Sequence, residues 1–198
     1  MFIELTDHLR CPAGHEESFL VLLPDHMEGR DVQSGQLGCP VCGRTFRLVD
    51  GVFDTGDAPP AAPSGSGPSP LDAQGLTALL GLSGPGGYLA LVGSVTALGE
   101  EFAEANPGVA LVAVNPADGV SGSSRLSVLR SGRIPLKTRS MRGAVLSRPY
   151  ADDPSWVREA ARVVLPGLRI VGEGADPPSD LIDLMASAGG VWVGAKAR

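Results

Sequence analysis

A chain of 198 residues with 43% apolar and 19% charged residues has the composition of folded protein, enough for one large domain or two small ones. No apolar run reaches the ~18 residues of a spanning helix, and the acid-bearing start MFIELTDHLR is no secretory leader, so a cytoplasmic location is expected. The net charge of −6 is uneven: residues 1–60 hold ten acids and four bases (10 − 4 = 6 excess acids), whereas the remainder holds twelve of each.

The first module reads as short strands. SFLVLLPDHM, DVQSGQLGC and TFRLVDGVF are separated by Gly, Pro and Asp turn signals. A module this small rarely buries enough core to fold unaided, so a staple is expected. All three cysteines lie here, and an odd count in a reducing compartment points to metal or reactivity instead of disulfides. CPVCG (Cys39–Gly43) has the form of a zinc knuckle, because two thiolates three residues apart on a tight turn can face one ion. In CPAGH, Cys11 is followed by Gly14 where a second Cys would fall, and by His15 one residue later. Cys11, His15, Cys39 and Cys42 would form a closed Cys3His set, which suits structural zinc. His8 and His26 remain rivals for the fourth place, and a redox dithiol is the competing use of the CxxC.

Residues 58–70, APPAAPSGSGPSP, contain only Ala, Pro, Ser and Gly and are expected to be a linker. The expected division is 1–57, 58–70 and 71–198.

Beyond the linker, strand and helix patterns alternate. YLALVG is a strand, and a helix capped by Ser94 would turn Val95, Leu98, Phe102 and Ala105 inward. VALVAVNP and GAVLS are further strands. Asp153 and Pro154 open a helix that buries Trp156, Ala160, Val163 and Val164. LRIVGEG is a strand, SDLIDLMASAGG is expected to be a helix, and VWVGAKA a last strand. Such alternation implies an α/β domain: an open, mostly parallel sheet with helices on both faces. The glycine run SGPGGY precedes its strand and is therefore a turn, not a phosphate loop.

The first segment, LTDHLRCPAGH with LGCPVCGRTFRLVDGVFD, resembles the small zinc-ribbon proteins that bind and activate methyltransferases. LVDGVFD matches that family's closing xxDGIPxx, with Phe53 where Pro is usual. EAARVVLPGLRIVGEG (Glu159–Gly174) is similar to the EaxRVLkPGGrlvi helix–turn–strand of class I S-adenosylmethionine-dependent methyltransferases. NPGVALVAVNP resembles their second strand, and SGRIPLKTRSMRGAVLS the segment leading into their fourth. The resemblance implies a Rossmann-like, methyltransferase-like domain behind a zinc ribbon.

That family's chemistry needs an acid and a G-x-G-x-G turn after the first strand, because a side chain would block the cofactor's approach. Here Gly93 and Gly99 remain, with five residues between them. An acid should end the second strand and hold the ribose; Asn115 stands there, a poorer bidentate acceptor. The two later acidic positions correspond to Arg130-Ser131 and Met141-Arg142. S-adenosylmethionine binding is therefore doubtful, and no catalytic residue is assigned.

Two functions follow. One is a non-catalytic scaffold held by a structural zinc ribbon, with a protein partner or a second copy of itself. The other is an active methyltransferase with a divergent pocket, acting on a small molecule or RNA. The acid-free window carrying Arg125, Arg130, Arg133, Lys137, Arg139, Arg142 and Arg148 could meet nucleic acid, but it lacks an aromatic residue before Tyr150. It could equally receive the acidic first segment.

Overall fold

The computed structural model describes residues 1–59 and 70–197. Most of the expected linker, residues 60–69, lies outside the described residues.

Four antiparallel strands build the first module: β1 (Val21–Glu28), β2 (Asp31–Gly38), β3 (Thr45–Val49) and β4 (Val52–Asp54). The second contributes β5 (Tyr88–Val92), β6 (Ala110–Val114), β7 (Leu126–Arg130), β8 (Gly143–Leu146), β9 (Arg169–Glu173), β10 (Ile182–Ala188) and β11 (Val191–Lys196). All eleven belong to one sheet, in the order β1-β2-β3-β4-β7-β6-β5-β8-β9-β11-β10. Strands β4 to β9 in that order run parallel, and β11 reverses direction beside β9. The junction is the parallel pairing of β4 with β7, with Phe53 opposite Leu129.

Alternation along the parallel strands divides the core in two, as a sheet covered on both faces requires. Leu89, Leu91, Leu111, Ala113 and Val145 face the helices α1 (Ala73–Leu80) and α2 (Gly99–Ala105). Ala90, Val92, Val112, Val114, Ala144 and Leu146 face the other way, toward α3 (Pro154–Val163). The N-terminal segment packs into this second layer, where Leu5, Leu9, Leu37, Leu48 and Phe53 are fully buried with Ile134 and Leu136. Arg10 N–H donates to Pro135 O at 3.0 Å, and Lys137 N–H donates to His8 O at 2.8 Å. The stretch between β7 and β8 thus holds the first module against this face of the sheet.

Three expectations need revision. SDLIDLMASAGG is not a helix. Its centre is β10, paired antiparallel with β11 around Gly189 and Gly190, both at positive φ. Two such residues give the turn whose twist suits a hairpin, and the tertiary pairing overrides helix propensity. Ser94 caps nothing by its side chain: a 3-10 turn over Gly93–Leu98 runs into α2. Ala105 is exposed, and Ala103 takes the inward place beside Phe102. Strand β7 and helix α1 were not among the expected elements. The glycine run is a turn as expected, its carbonyls at Ser83, Gly84 and Gly86 accepting from the Arg142 guanidinium.

Candidate metal centre and the ends of the parallel strands

The knuckle after β2 is closed by Gly43, whose N–H donates to Cys39 O at 2.9 Å and whose φ of 70° suits glycine. The facing knuckle is held by Cys11 N–H, which donates to Ser18 O at 2.9 Å. Between them the ligating atoms of Cys11, His15, Cys39 and Cys42 all lie within 4.8 Å of one another. The sulfurs of Cys11 and Cys42 are 3.7 Å apart, and Cys39 Sγ is 3.4 Å from His15 Nε2. Tetrahedral zinc, with Zn–S near 2.3 Å and Zn–N near 2.0–2.1 Å, sets such pairs ~3.8 Å and ~3.5 Å apart. The donor set fits that ion.

The surroundings support ligation. His15 Nδ1 is 2.6 Å from Glu16 O; donating there fixes the tautomer that leaves Nε2 free. Burial pushes the Cys39 thiol up, but the backbone N–H groups of Cys42 and Val41 outweigh it and bring the thiol down to about 6. Burial drives Cys11 the other way, to about 11, so a metal would have to displace its proton. The rival histidines lie elsewhere. His8 packs on Tyr88 with ring centroids 4.8 Å apart, and His26 sits on β1 beside Glu28.

The second candidate region is the carboxyl end of the parallel strands. Strand β5 lies between β6 and β8, so the chain leaves it in opposite directions, and open α/β sheets bind ligands at such a switch point. Gly93 and Asn115 both stand there. Gly93 has φ 81°, and a methyl added to it would lie 2.6 Å from Ser147 Oγ and 2.7 Å from Tyr150 Cδ2. Gly99 does not join them: it opens α2, packed against Leu126 on the far face.

The polar groups here satisfy one another. Asn115 Nδ2 donates to Ser131 O at 2.8 Å, and Asn115 Oδ1 accepts from Ser131 N–H at 2.9 Å. Val95 N–H donates to Ser147 Oγ, and Ser147 Oγ donates to Val92 O. Thr96 Oγ1 donates to Gly93 O and accepts from Ala117 N–H. Tyr150, 4% exposed, crosses its ring with that of Trp156 at 4.6 Å. Burial raises its phenol, and the Asn115 side chain partly offsets the rise. Sequence reasoning used Tyr150 only as an aromatic landmark and overlooked Ser147; nothing in their spacing marks them as space-filling.

Gly93→Ala tests how full this region is. Left-handed strain plus the clash with Ser147 and Tyr150 is expected to cost ~1–3 kcal/mol, read from the urea midpoint.

The basic window is largely committed within the chain. Arg125 donates to Ala103 O, and Arg148 pairs with Asp152. Arg133 donates to Glu159 and to Pro12 O, and Lys137 Nζ stands 5.9 Å from the Phe19 ring centroid. Glu17 from the first module accepts from Thr138 N–H and Oγ1, so the acidic first segment does rest on this stretch.

No family model and no curated protein matches this chain. Solved structures do. The pyocyanin biosynthetic protein PhzM aligns over 64% of this chain and 55% of its own at 14% identity, TM-score 0.47. A methyltransferase of an antibiotic biosynthesis pathway from Anabaena variabilis aligns over 51% and 43% at 17% identity, TM-score 0.43. A complex of the Haloferax volcanii Trm112 methyltransferase activator with a methyltransferase aligns over 49% and 50% at 12% identity, TM-score 0.40. This chain therefore spans about half the length of these proteins. The architecture is a mixed α/β fold with a largely parallel central sheet.

Proposed function

We propose that this chain is a non-catalytic, methyltransferase-like protein in which a structural zinc ribbon is built into the sheet, and that it serves as an interaction or scaffold partner. One observation carries this reading. At the switch point Gly93 is covered by Tyr150 and Ser147, and both amide groups of Asn115 are spent on Ser131. A nucleoside cofactor would have to displace the ring and break a satisfied buried network, each broken pair costing ~1–3 kcal/mol for the group left unpaired.

The metal quartet supports the structural half of the reading. A closed Cys3His set leaves no open coordination position for catalysis. The ribbon also occupies the edge of β7 through β4, so that edge is closed from within the chain. Surfaces left for partners include β1, an outer strand carrying exposed Val21 and Leu23, with exposed Phe19 preceding it. The commitments of Arg125, Arg133 and Arg148 favour a protein partner over nucleic acid.

Calorimetric titration of S-adenosylmethionine and S-adenosylhomocysteine into the zinc-assayed protein is expected to give no heat. Micromolar binding of either would favour the alternative, an active methyltransferase with a divergent pocket.

A further inference from the structure

We propose that Tyr150 is an internal occupant of a nucleoside site, standing where a bound ribose would lie between Gly93 and Asn115. The inference rests on the closed-site reading and goes beyond it, because it assigns the closure to one side chain and names the ligand class that side chain replaces.

The placement follows from the sheet order. In an open parallel sheet a nucleoside cofactor crosses the glycine turn after the first strand, and its ribose hydroxyls meet the residue ending the next strand. Here those places are Gly93, after β5, and Asn115, after β6. Tyr150 follows β8, on the opposite side of β5, and reaches back over both. Its ring edge, Cδ2 and Cε2, would lie 2.7 and 2.8 Å from a methyl on Gly93, and its phenol end meets the Asn115 side chain. A flat ring ending in a hydroxyl imitates a ribose in bulk and in having a polar end. Trp156 meets the ring edge to face, ring centroids 4.6 Å apart, and the buried Ala151 follows in the chain. Gly93 also keeps a backbone that only a side-chain-free residue tolerates at such close approach. The glycine that admits a cofactor now admits Tyr150.

Truncation at position 150 should therefore open a space walled by Gly93, Asn115, Ser147 and Trp156. The test uses the full chain, loaded with zinc, as parent, Tyr150→Phe and Tyr150→Ala. Adenosine and S-adenosylhomocysteine are the probes, read by calorimetry and by the thermal midpoint. The parent and Tyr150→Phe should bind neither probe, since the ring still fills the space. Tyr150→Ala should bind at least one probe with sub-millimolar Kd, at least tenfold tighter than the parent, and that probe should raise its midpoint alone. A folded Tyr150→Ala that binds neither overturns the assignment of Tyr150 while leaving the non-catalytic reading intact. Binding by the parent as tight as by Tyr150→Ala overturns both. Where Tyr150→Ala fails to fold, Tyr150→Leu keeps apolar contact with Trp156 and empties the phenol end at Asn115, and the same outcomes decide.

Discussion

Stripping the metal with a strong chelator, or replacing Cys39 by Ser, is expected to lower the melting temperature of the whole chain by more than ~10 °C. The ligand geometry matches tetrahedral zinc at two independent distances, 3.7 Å between sulfurs and 3.4 Å from sulfur to nitrogen. Apparent binding free energies for such sites are ~10–16 kcal/mol in zinc-finger peptides, where metal loss unfolds everything. This ribbon differs because it shares its core with the sheet: Leu5, Leu9, Leu37, Leu48 and Phe53 belong to one cluster with Val92, Val114 and Leu146. That shared burial keeps part of the fold without metal, so the loss should fall below the peptide value. A loss of ~4 kcal/mol already shifts the midpoint of a chain of this size by ~8–16 °C. The same coupling means that the ribbon cannot unfold quietly, since β4 would leave β7 with an open edge. Circular dichroism melts with and without chelator, beside a metal assay, decide the matter. Stoichiometric zinc with an unchanged midpoint would show a metal that does not staple, and absent zinc would remove the metal centre itself.

Much of this was legible in the sequence, for reasons that differ by element. The Cys/His cluster could be read because chelation would fix spacing locally: CxxC on a turn admits few alternatives, and Cys11 with His15 resembles the form. The buried parallel strands could be read because a strand covered on both faces must be apolar throughout, as YLALV and ALVAV are. The hairpin β10–β11 could not, because IDLMASA carries as many helix formers as strand formers and its fate is set by a partner strand and the Gly189-Gly190 turn. The joining of ribbon to sheet is a contact between residues some 75 positions apart, Phe53 with Leu129 and Asp54 with Arg130, which no local pattern encodes. The packing of Tyr150 on Gly93 could not be read either, because it joins residues 57 positions apart (150 − 93). Tyr150 differs from an ordinary packed aromatic only by what it covers.

Glu159→Gln is expected to destabilise the chain by ~3–5 kcal/mol, out of proportion to one polar substitution. Glu159 projects from α3 into a nearly buried site shared by three guanidinium groups, with side-chain exposures of 11% for Glu159, 10% for Arg10 and 18% for Arg162. Arg162 donates to both of its oxygens at 2.9 Å, Arg133 at 3.2 and 3.4 Å, and Arg10 at 3.2 and 3.4 Å. The site joins both modules, since Arg10 precedes Cys11 and Arg133 also donates to Pro12 O. Removing the carboxylate charge leaves these cations facing one another with Glu17 beside Arg10 and Arg162 and Asp57 near Arg133, and an undercompensated buried charge costs several kcal/mol. By contrast Glu17→Gln, at a position 34% exposed, should cost no more than ~1 kcal/mol. The sign of the pH effect follows from the same geometry. Burial pushes the Glu159 carboxyl up, but Arg162, Arg133 and Arg10 outweigh it and hold it below its usual value. A carboxyl lowered in the folded state adds stability above its unfolded pKa, and that stability drains away as pH falls through the folded value. The parent should therefore lose stability on acidification below ~pH 4.5, with Glu17 and Asp57, which are lowered as well, contributing to the same limb. In Glu159→Gln that limb should flatten while the urea m-value stays constant. A variant within ~1 kcal/mol of the parent at pH 7, with an unchanged acid limb, would mean that Arg133 and Arg162 are held by their bonds to the Ile134, Leu136 and Pro12 carbonyls and Arg10 by Glu17.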